Sequence, residues 1–162
     1  MSGLRFRSPH CASRNIGFGE REAAFRFRRA LGLSPYPDRD RVVVTMNEVR
    51  AFASTLPRSS EAFVRGRVKF RIGRIVYLSF SRDGSTMGFA FPKEWRDALV
   101  ESEPDKFSLP SESDMRYHWA LVSLAAIDSD EMHDLVEDAW AFCVPTRLAD
   151  EYATARGYES HR

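Results

Sequence analysis

A single hairpin restricts the fold of this chain more than any other feature. Asp83 and Gly84 form the strongest short hairpin signal, and they separate two apolar segments, Ile75 to Phe80 and Thr86 to Phe91. A two-residue turn there places Phe80 opposite Met87, Leu78 opposite Phe89 and Val76 opposite Phe91. All six apolar side chains then share one face, so the turn chemistry and the hydrophobic pattern both predict an antiparallel pair of strands.

An alternating segment precedes this hairpin. Val64, Val68, Phe70 and Ile72 alternate with Arg65, Arg67, Lys69 and Arg71, which is the period of a strand. A two-residue turn after it would put Lys69 and Arg71 on the apolar face, so we favour a three-residue turn, Ile72-Gly73-Arg74, which keeps these charges out of the core. Phe70 then pairs with Val76, and Val68 pairs with Leu78. The opposite face carries Arg65, Arg67, Lys69, Arg71, Tyr77, Ser79, Gly88 and Ala90.

Helix signals surround these strands. Thr45 and Glu48 have capping-box spacing and predict a helix over residues 46–55, which ends before Pro57. Pro92 suits the start of a second helix, residues 117–124 read as a fourth strand, and Asp128 precedes an apolar stripe that ends at Cys143. Pro145 begins a short last helix. We therefore predict one α+β domain over residues 42–157: an antiparallel sheet of about four strands, covered by helices on one face, in the order α-β-β-β-α-β-α-α.

The N-terminal region differs in composition from this domain. Residues 1–44 hold nine Arg and four acids, and no sustained period is visible before about Arg41. Three interpretations of residues 1–41 stay open: a basic, disordered tail; a wrongly assigned start, the true one lying at Met46 or within residues 42–44; or an Arg-rich targeting peptide.

The composition limits the class of protein. No run of about 18 apolar residues exists, which predicts no membrane span. The two cysteines, Cys11 and Cys143, do not form a disulfide framework, so a reducing cytoplasm is the expected location. Cys143 ends an apolar stripe, which is typical of a buried, inert thiol.

The alternating basic residues are the main candidate binding site. Arg65, Arg67, Lys69 and Arg71 would lie about 6.6 Å apart on one face of a strand, where they could contact phosphates. Tyr77 on the same face could stack on a base. The alternative is a solvated face whose charges discourage edge aggregation. The net charge of −4 over residues 45–162 supports that alternative, because nonspecific DNA binding depends on cationic side chains.

Other patterns carry little chemistry. His118 beside Trp119 could act as a general base, or it could be a strand residue bonded to the backbone. The four His and two Cys lack metal-ligand spacing, and no phosphate-binding glycine motif is complete. We therefore predict no catalytic residue, no metal site, no cofactor and no enzymatic activity.

Several segments resemble one known family. These are the helix that ends in Leu56-Pro57, Lys69-Phe70 before a Gly turn, Asp105-Lys106-Phe107 before Pro110, His118-Trp119, and Ala139-Trp140. Their order over about residues 45–150 resembles the MmcQ/YjbR family of small bacterial proteins. The resemblance implies an α+β fold related to secretion chaperones, and family members are often labelled DNA-binding.

Two functional hypotheses follow. The first is a module that binds DNA or RNA through the basic face of the sheet. The second is a protein-interaction or chaperone-like module with no nucleic-acid role, based on the implied fold, the acidic charge of the domain and the edges of an open sheet.

Overall fold

The computed structural model describes residues 43–157, which form a six-stranded antiparallel sheet with four α-helices. The helices are α1 (Met46–Ala53), α2 (Lys93–Ser102), α3 (Ser129–Cys143) and α4 (Thr146–Ala155). The strands are β1 (Ser59–Val64), β2 (Arg67–Ile72), β3 (Ile75–Phe80), β4 (Thr86–Ala90), β5 (Phe107–Ser108) and β6 (Trp119–Ser123). In space the strands follow the order β1-β2-β3-β4-β6-β5. The predicted α+β class and antiparallel sheet are confirmed, while the interpretations of residues 1–41 lie outside the described residues.

The strand number was underestimated, because two strands were missed. Residues 64–72 were predicted as part of one strand, yet they contain the turn between β1 and β2. Arg65 and Gly66 form this turn, both with positive φ (53° and 76°). Arginine rarely adopts that conformation, so the sequence carried no ordinary turn signal there. β5 is only two residues long and lies between the predicted second helix and the predicted strand at residues 117–124. The element order is therefore α-β-β-β-β-α-β-β-α-α.

The β3–β4 hairpin has the predicted register and a different turn. Phe80 pairs with Met87, and Leu78 pairs with Phe89, where the ladder ends before the expected Val76–Phe91 pair. The loop holds four residues, 82–85, and the Ser81 amide donates to the Thr86 carbonyl across its base at 2.9 Å. Hydrogen bonds from Ser81 and Ser85 hold the pKa of Asp83 at about 2. The Asp83 carboxylate stabilises this four-residue loop, which replaces the predicted two-residue turn.

The β2–β3 hairpin departs from the predicted register. Gly73 and Arg74 form a two-residue turn, and Ile72 pairs with Ile75, so the predicted three-residue turn is wrong. A β-bulge follows, because Arg71 pairs with Val76 while its neighbour Phe70 pairs with Leu78. Tyr77 is the extra residue and has no partner on β2. A bulge changes which face the following side chains occupy. Arg67 and Arg71 stay exposed, whereas Lys69 between them is buried.

The long helix α3 completes the core. Its predicted stripe is confirmed, since Met132, Leu135, Val136, Ala139, Trp140 and Cys143 are all buried. α3 packs on β3, β4 and α1. The Trp140 indole donates to the Pro57 carbonyl at 2.9 Å, which fixes the segment that enters β1. The predicted capping box of Thr45 and Glu48 is also confirmed, and Asp128 caps α3 by accepting a hydrogen bond from the Glu131 amide.

Candidate nucleic-acid interface

β2 carries three of the predicted binding residues on one face of the sheet. Arg67, Lys69 and Arg71 alternate along this strand, and both arginines are exposed. Lys69 is only 6% exposed. Burial lowers the pKa of Lys69, and the charges of Arg67 and Arg65 lower it further, against a weaker opposing effect of Asp114. The face therefore presents two guanidinium groups, with the amine between them withdrawn from solvent.

Arg65 lies beside this face and not on it. It is exposed in the turn that joins β1 to β2, where its positive φ takes it out of the strand alternation. The prediction that Arg65 continues the strand stripe is wrong for this geometric reason. Its charge nevertheless remains within the same basic region, two residues from Arg67.

Tyr77 does not lie on the exposed face. It is fully buried, its ring meets that of Phe70 edge-on at 6.5 Å, and its hydroxyl shares a 2.6 Å hydrogen bond with Ser59. Burial raises the pKa of Tyr77 to about 12. The predicted placement of Tyr77 as an accessible stacking residue is wrong, because the bulge turns this side chain into the core.

The exposed arginines continue into the turns around β2. Residues 58–82 contain seven basic residues and one acid, Glu61, whose carboxylate bonds Arg50 at 2.6 Å. Sequence reasoning missed three of them because they lie outside the strand alternation: Arg58, Arg74 and Arg82, all exposed. The pairing of Ser59 with Ile72 puts Arg58 and Arg74 at one end of the β1–β3 unit. Arg65 and Arg82 lie at the other end, which gives a basic region along the whole unit.

The remainder of the domain has the opposite charge. Residues 83–157 contain 16 acids and six basic residues. The domain is therefore electrically polarised, with its positive side on β1–β3 and their turns. Its net charge, which argued against anion binding at the sequence level, hides this separation.

His118 has a structural role. Its Nδ1 accepts a hydrogen bond from the Lys93 amide at 3.2 Å, at the start of α2, and its ring packs on Phe142. Burial lowers the pKa of His118, assisted by the charges of Lys93 and Arg96, whereas Glu94 acts in the opposite direction. Only neutral imidazole can accept the amide proton, so this contact favours the uncharged ring.

We expect this contact to make the stability of the domain depend on pH. Because the folded-state pKa of His118 is lowered, the unfolded chain binds a proton first as the pH falls below about 6.5. The contribution of neutral His118 to the stability of the folded domain is therefore complete above that pH and decreases below it. In urea denaturation between pH 7.5 and 5, the free energy of unfolding should decrease more for the wild type than for His118→Asn, whose Oδ1 can still accept. Equal decreases in both proteins would contradict this role.

A second polar cluster was not anticipated from sequence. Lys106 bonds Glu103 and Glu131 at 3.2 and 3.1 Å, beside a cavity of about 310 Å³ lined in part by Ser102 and Ala126. Burial raises the pKa of Glu131, and its two hydrogen bonds to Lys106 oppose that change. The cluster links α3 to the segment before β5. Within residues 43–157, no group of three or more His, Cys, Asp or Glu side chains is placed to hold a metal ion.

Comparison with known proteins identifies the family. The YjbR family model matches residues 54–142, more than half of the chain. This chain belongs to the YjbR family. Its fold is similar to that of the Deinococcus radiodurans protein DR2400, a DUF419-domain protein, with a TM-score of 0.56 and 16% sequence identity. That likeness covers 71% of this chain and 89% of DR2400, and at this identity it shows the shared fold.

Two further findings bear on this YjbR domain. No curated protein matches the chain. No helix within residues 43–157 is both long and apolar enough to cross a membrane. Family membership establishes the fold of the domain. The charge and exposure of the residues on β1–β3 and their turns have to indicate the ligand.

Proposed function

We propose that this YjbR-family protein is a non-enzymatic module that binds nucleic acid through the exposed arginines of β2 and its flanking turns. The observation that carries the proposal is the charge separation described above, with seven basic residues and one acid in residues 58–82. Arginine suits this role because its planar guanidinium can bind phosphate through two parallel hydrogen bonds.

The spacing of the two strand arginines supports the proposal. Arg67 and Arg71 are four residues apart on one strand, a separation of about 13 Å. Double-stranded DNA carries one charge per roughly 1.7 Å of its axis, so this span faces several phosphates. Arg58, Arg74 and Arg82 extend the basic region beyond the strand, and the acidic side of the domain would turn away from a polyanion.

We assign no catalytic group, metal or cofactor to this function. The imidazole of His118 is engaged at the start of α2, and Cys143 is buried. A reducing cytoplasm, where nucleic acids are abundant, is the compartment that the cysteine content favours.

Fluorescence anisotropy across a salt series tests the proposal. The probes are labelled single- and double-stranded 20-nucleotide DNA and RNA, with the full chain as the protein. We expect binding at low salt that weakens as salt rises, and a loss of about tenfold or more in the Arg67→Ala/Arg71→Ala double variant. The salt dependence should also become less steep in that variant, because fewer counterions are displaced.

Two controls separate this surface from general charge effects. Lys93→Ala/Arg147→Ala removes the same charge from exposed positions far along the chain and should retain most of the affinity. Lys69→Met removes a buried amine and should change the affinity little. The proposal fails if the wild type does not bind at low salt, or if the remote control loses as much affinity as the β2 double variant.

A further inference from the structure

The two edges of the sheet are protected to different degrees. β5 forms one edge; it has only two residues, and Pro110 follows soon after it. β1 forms the other edge with six residues, and its ladder with β2 runs without a register shift. β1 lacks the lysine, proline and bulge that commonly prevent an edge from pairing. Within residues 43–157, no strand pairs with the outer side of β1.

The backbone of β1 directs half of its hydrogen-bonding groups outward. The residues that flank a two-residue turn form a hydrogen-bonded pair, here Val64 and Arg67. Such pairs alternate along an antiparallel ladder, so the N–H and C=O groups of Glu61 and Phe63 point away from β2. The Ser59 amide, next in this alternation, donates to a carbonyl of the preceding loop at 3.2 Å. The edge therefore offers two donors and two acceptors to an added strand.

One face of β1 gives an added strand access to the arginines of β2. The side chains of β1 on this face are short, and Arg67 and Arg71 are exposed beside them. These short side chains are Ser60, Ala62 and Val64. A strand outside β1 would lie two strand spacings from β2, about 10 Å. Because arginine and glutamate side chains together span that distance, acids on the added strand would reach both guanidinium groups.

The opposite face of β1 offers an apolar contact. Phe63 is 75% exposed, more than any other large hydrophobic residue of the described chain. Glu61, its neighbour on this face, is already held by Arg50 through two hydrogen bonds of 2.6 and 3.1 Å. An added strand would therefore place an apolar side chain against Phe63, and it would need no charge opposite Glu61.

We propose that β1 binds an extended acidic segment of a partner protein as an additional antiparallel strand. Two acids of that segment, four residues apart, would oppose Val64 and Ser60 and pair with Arg67 and Arg71. The residue directly after the first acid would be apolar and would oppose Phe63. The recognised pattern is thus acid, apolar, small, uncharged polar, acid, because alternate residues of a strand share a face.

The charge of this side of the domain selects an acidic partner. Residues 58–82 contain seven basic residues and one acid, and that acid is already paired with Arg50. A second copy of β1 would bring its own arginines against this surface, which disfavours self-pairing. Since about five residues would pair, we expect weak, reversible binding. The bound segment would cover both arginines of the proposed nucleic-acid surface, so the two ligands would exclude each other.

Fluorescence anisotropy of the full chain with a labelled peptide tests the proposal in the absence of nucleic acid. The probe contains Glu-Phe-Ala-Thr-Glu between flanking serines. We expect micromolar binding that weakens about fivefold or more in Arg67→Ala/Arg71→Ala. Lys93→Ala/Arg147→Ala removes the same charge from remote exposed positions and should change the affinity little. A peptide with lysine in place of both glutamates should not bind.

A peptide with a modified backbone separates strand pairing from simple charge attraction. N-methylation of its phenylalanine and threonine keeps both acids and removes the two N–H donors that would bond the carbonyls of Phe63 and Glu61. We expect this peptide to bind about tenfold or more weakly than the unmodified one. Equal affinities would show that charge alone holds the acidic segment, and they would overturn the proposal.

Amide hydrogen exchange, measured by NMR, locates the bound strand. The amides of Glu61 and Phe63 should exchange more slowly with peptide bound, whereas those of Ala62 and Val64, which face β2, should change little. Unchanged exchange at Glu61 and Phe63 would contradict the proposal. If a second copy, or part of this chain outside residues 43–157, occupies the edge, the peptide should not bind, which also overturns it. A failure of nucleic-acid binding would leave all of these results unaffected.

Discussion

The Arg96→Met variant should lose about 3–5 kcal/mol of unfolding free energy, the largest effect of any single substitution considered for this domain. Arg96 is 5% exposed, and its Nη1 donates to the carbonyls of Tyr117 and Trp119 at 3.1 Å each. Its Nη2 donates to the Met115 carbonyl at 3.0 Å. Methionine keeps an unbranched apolar stem but leaves all three carbonyls without this donor. The guanidinium holds the segment that enters β6 against α2.

Urea denaturation at neutral pH measures this loss. Arg147→Met is the matched control, because the Arg147 side chain is 90% exposed and pairs with Glu151 one turn away. We expect the control to change stability by less than about 0.5 kcal/mol. Arg96→Lys should be intermediate, since one ammonium cannot span three carbonyls. A loss below about 1 kcal/mol in Arg96→Met would show that water replaces the guanidinium without difficulty.

Replacement of Gly88 by alanine should cost about 2–3 kcal/mol, because the site is already filled. Gly88 is buried in β4, and the indole of Trp119 lies across it. A Cβ atom built on Gly88 would be 2.6 Å from the indole ring, far inside van der Waals contact. Both residues sit on ordered strands, so the clash can be relieved only by displacing a buried ring.

A double-mutant cycle with Trp119→Leu tests this cause. If the clash is responsible, Gly88→Ala should cost much less in the Trp119→Leu background than in the wild type, with a coupling of about 1–2 kcal/mol. Gly88→Ala in both backgrounds would be measured by thermal and urea denaturation. Additive losses would instead point to a requirement of the backbone at Gly88, independent of the ring above it.

Periodicity and cap chemistry predicted the parts of the fold that depend on local sequence. The stripe from Met132 to Cys143 and the register of Phe80 with Met87 follow from which side chains must avoid water, and both are confirmed. Such signals are strong because a slip would bury charges or expose several large apolar groups at once.

The errors arose where backbone conformation departs from what residue type favours. The Arg65-Gly66 turn uses an arginine at positive φ, and the bulge at Tyr77 inserts a residue that no composition rule marks. The candidate site changed accordingly. Arg67 and Arg71 kept their exposed face, whereas Lys69 and Tyr77 became buried, because the packing above and below a strand is set by distant parts of the chain.

The burial of Lys69 has a consequence for regulation. Every exposed cation in residues 58–82 is an arginine, and the single lysine of this segment is withdrawn from the surface. Guanidinium groups stay protonated throughout the physiological pH range, and lysine acetylation acts on amines alone. A cell could therefore not switch off this surface by acetylation or by acidification. Its charge would be permanent, and arginine methylation, a covering partner or a change in ionic strength could modulate what it attracts.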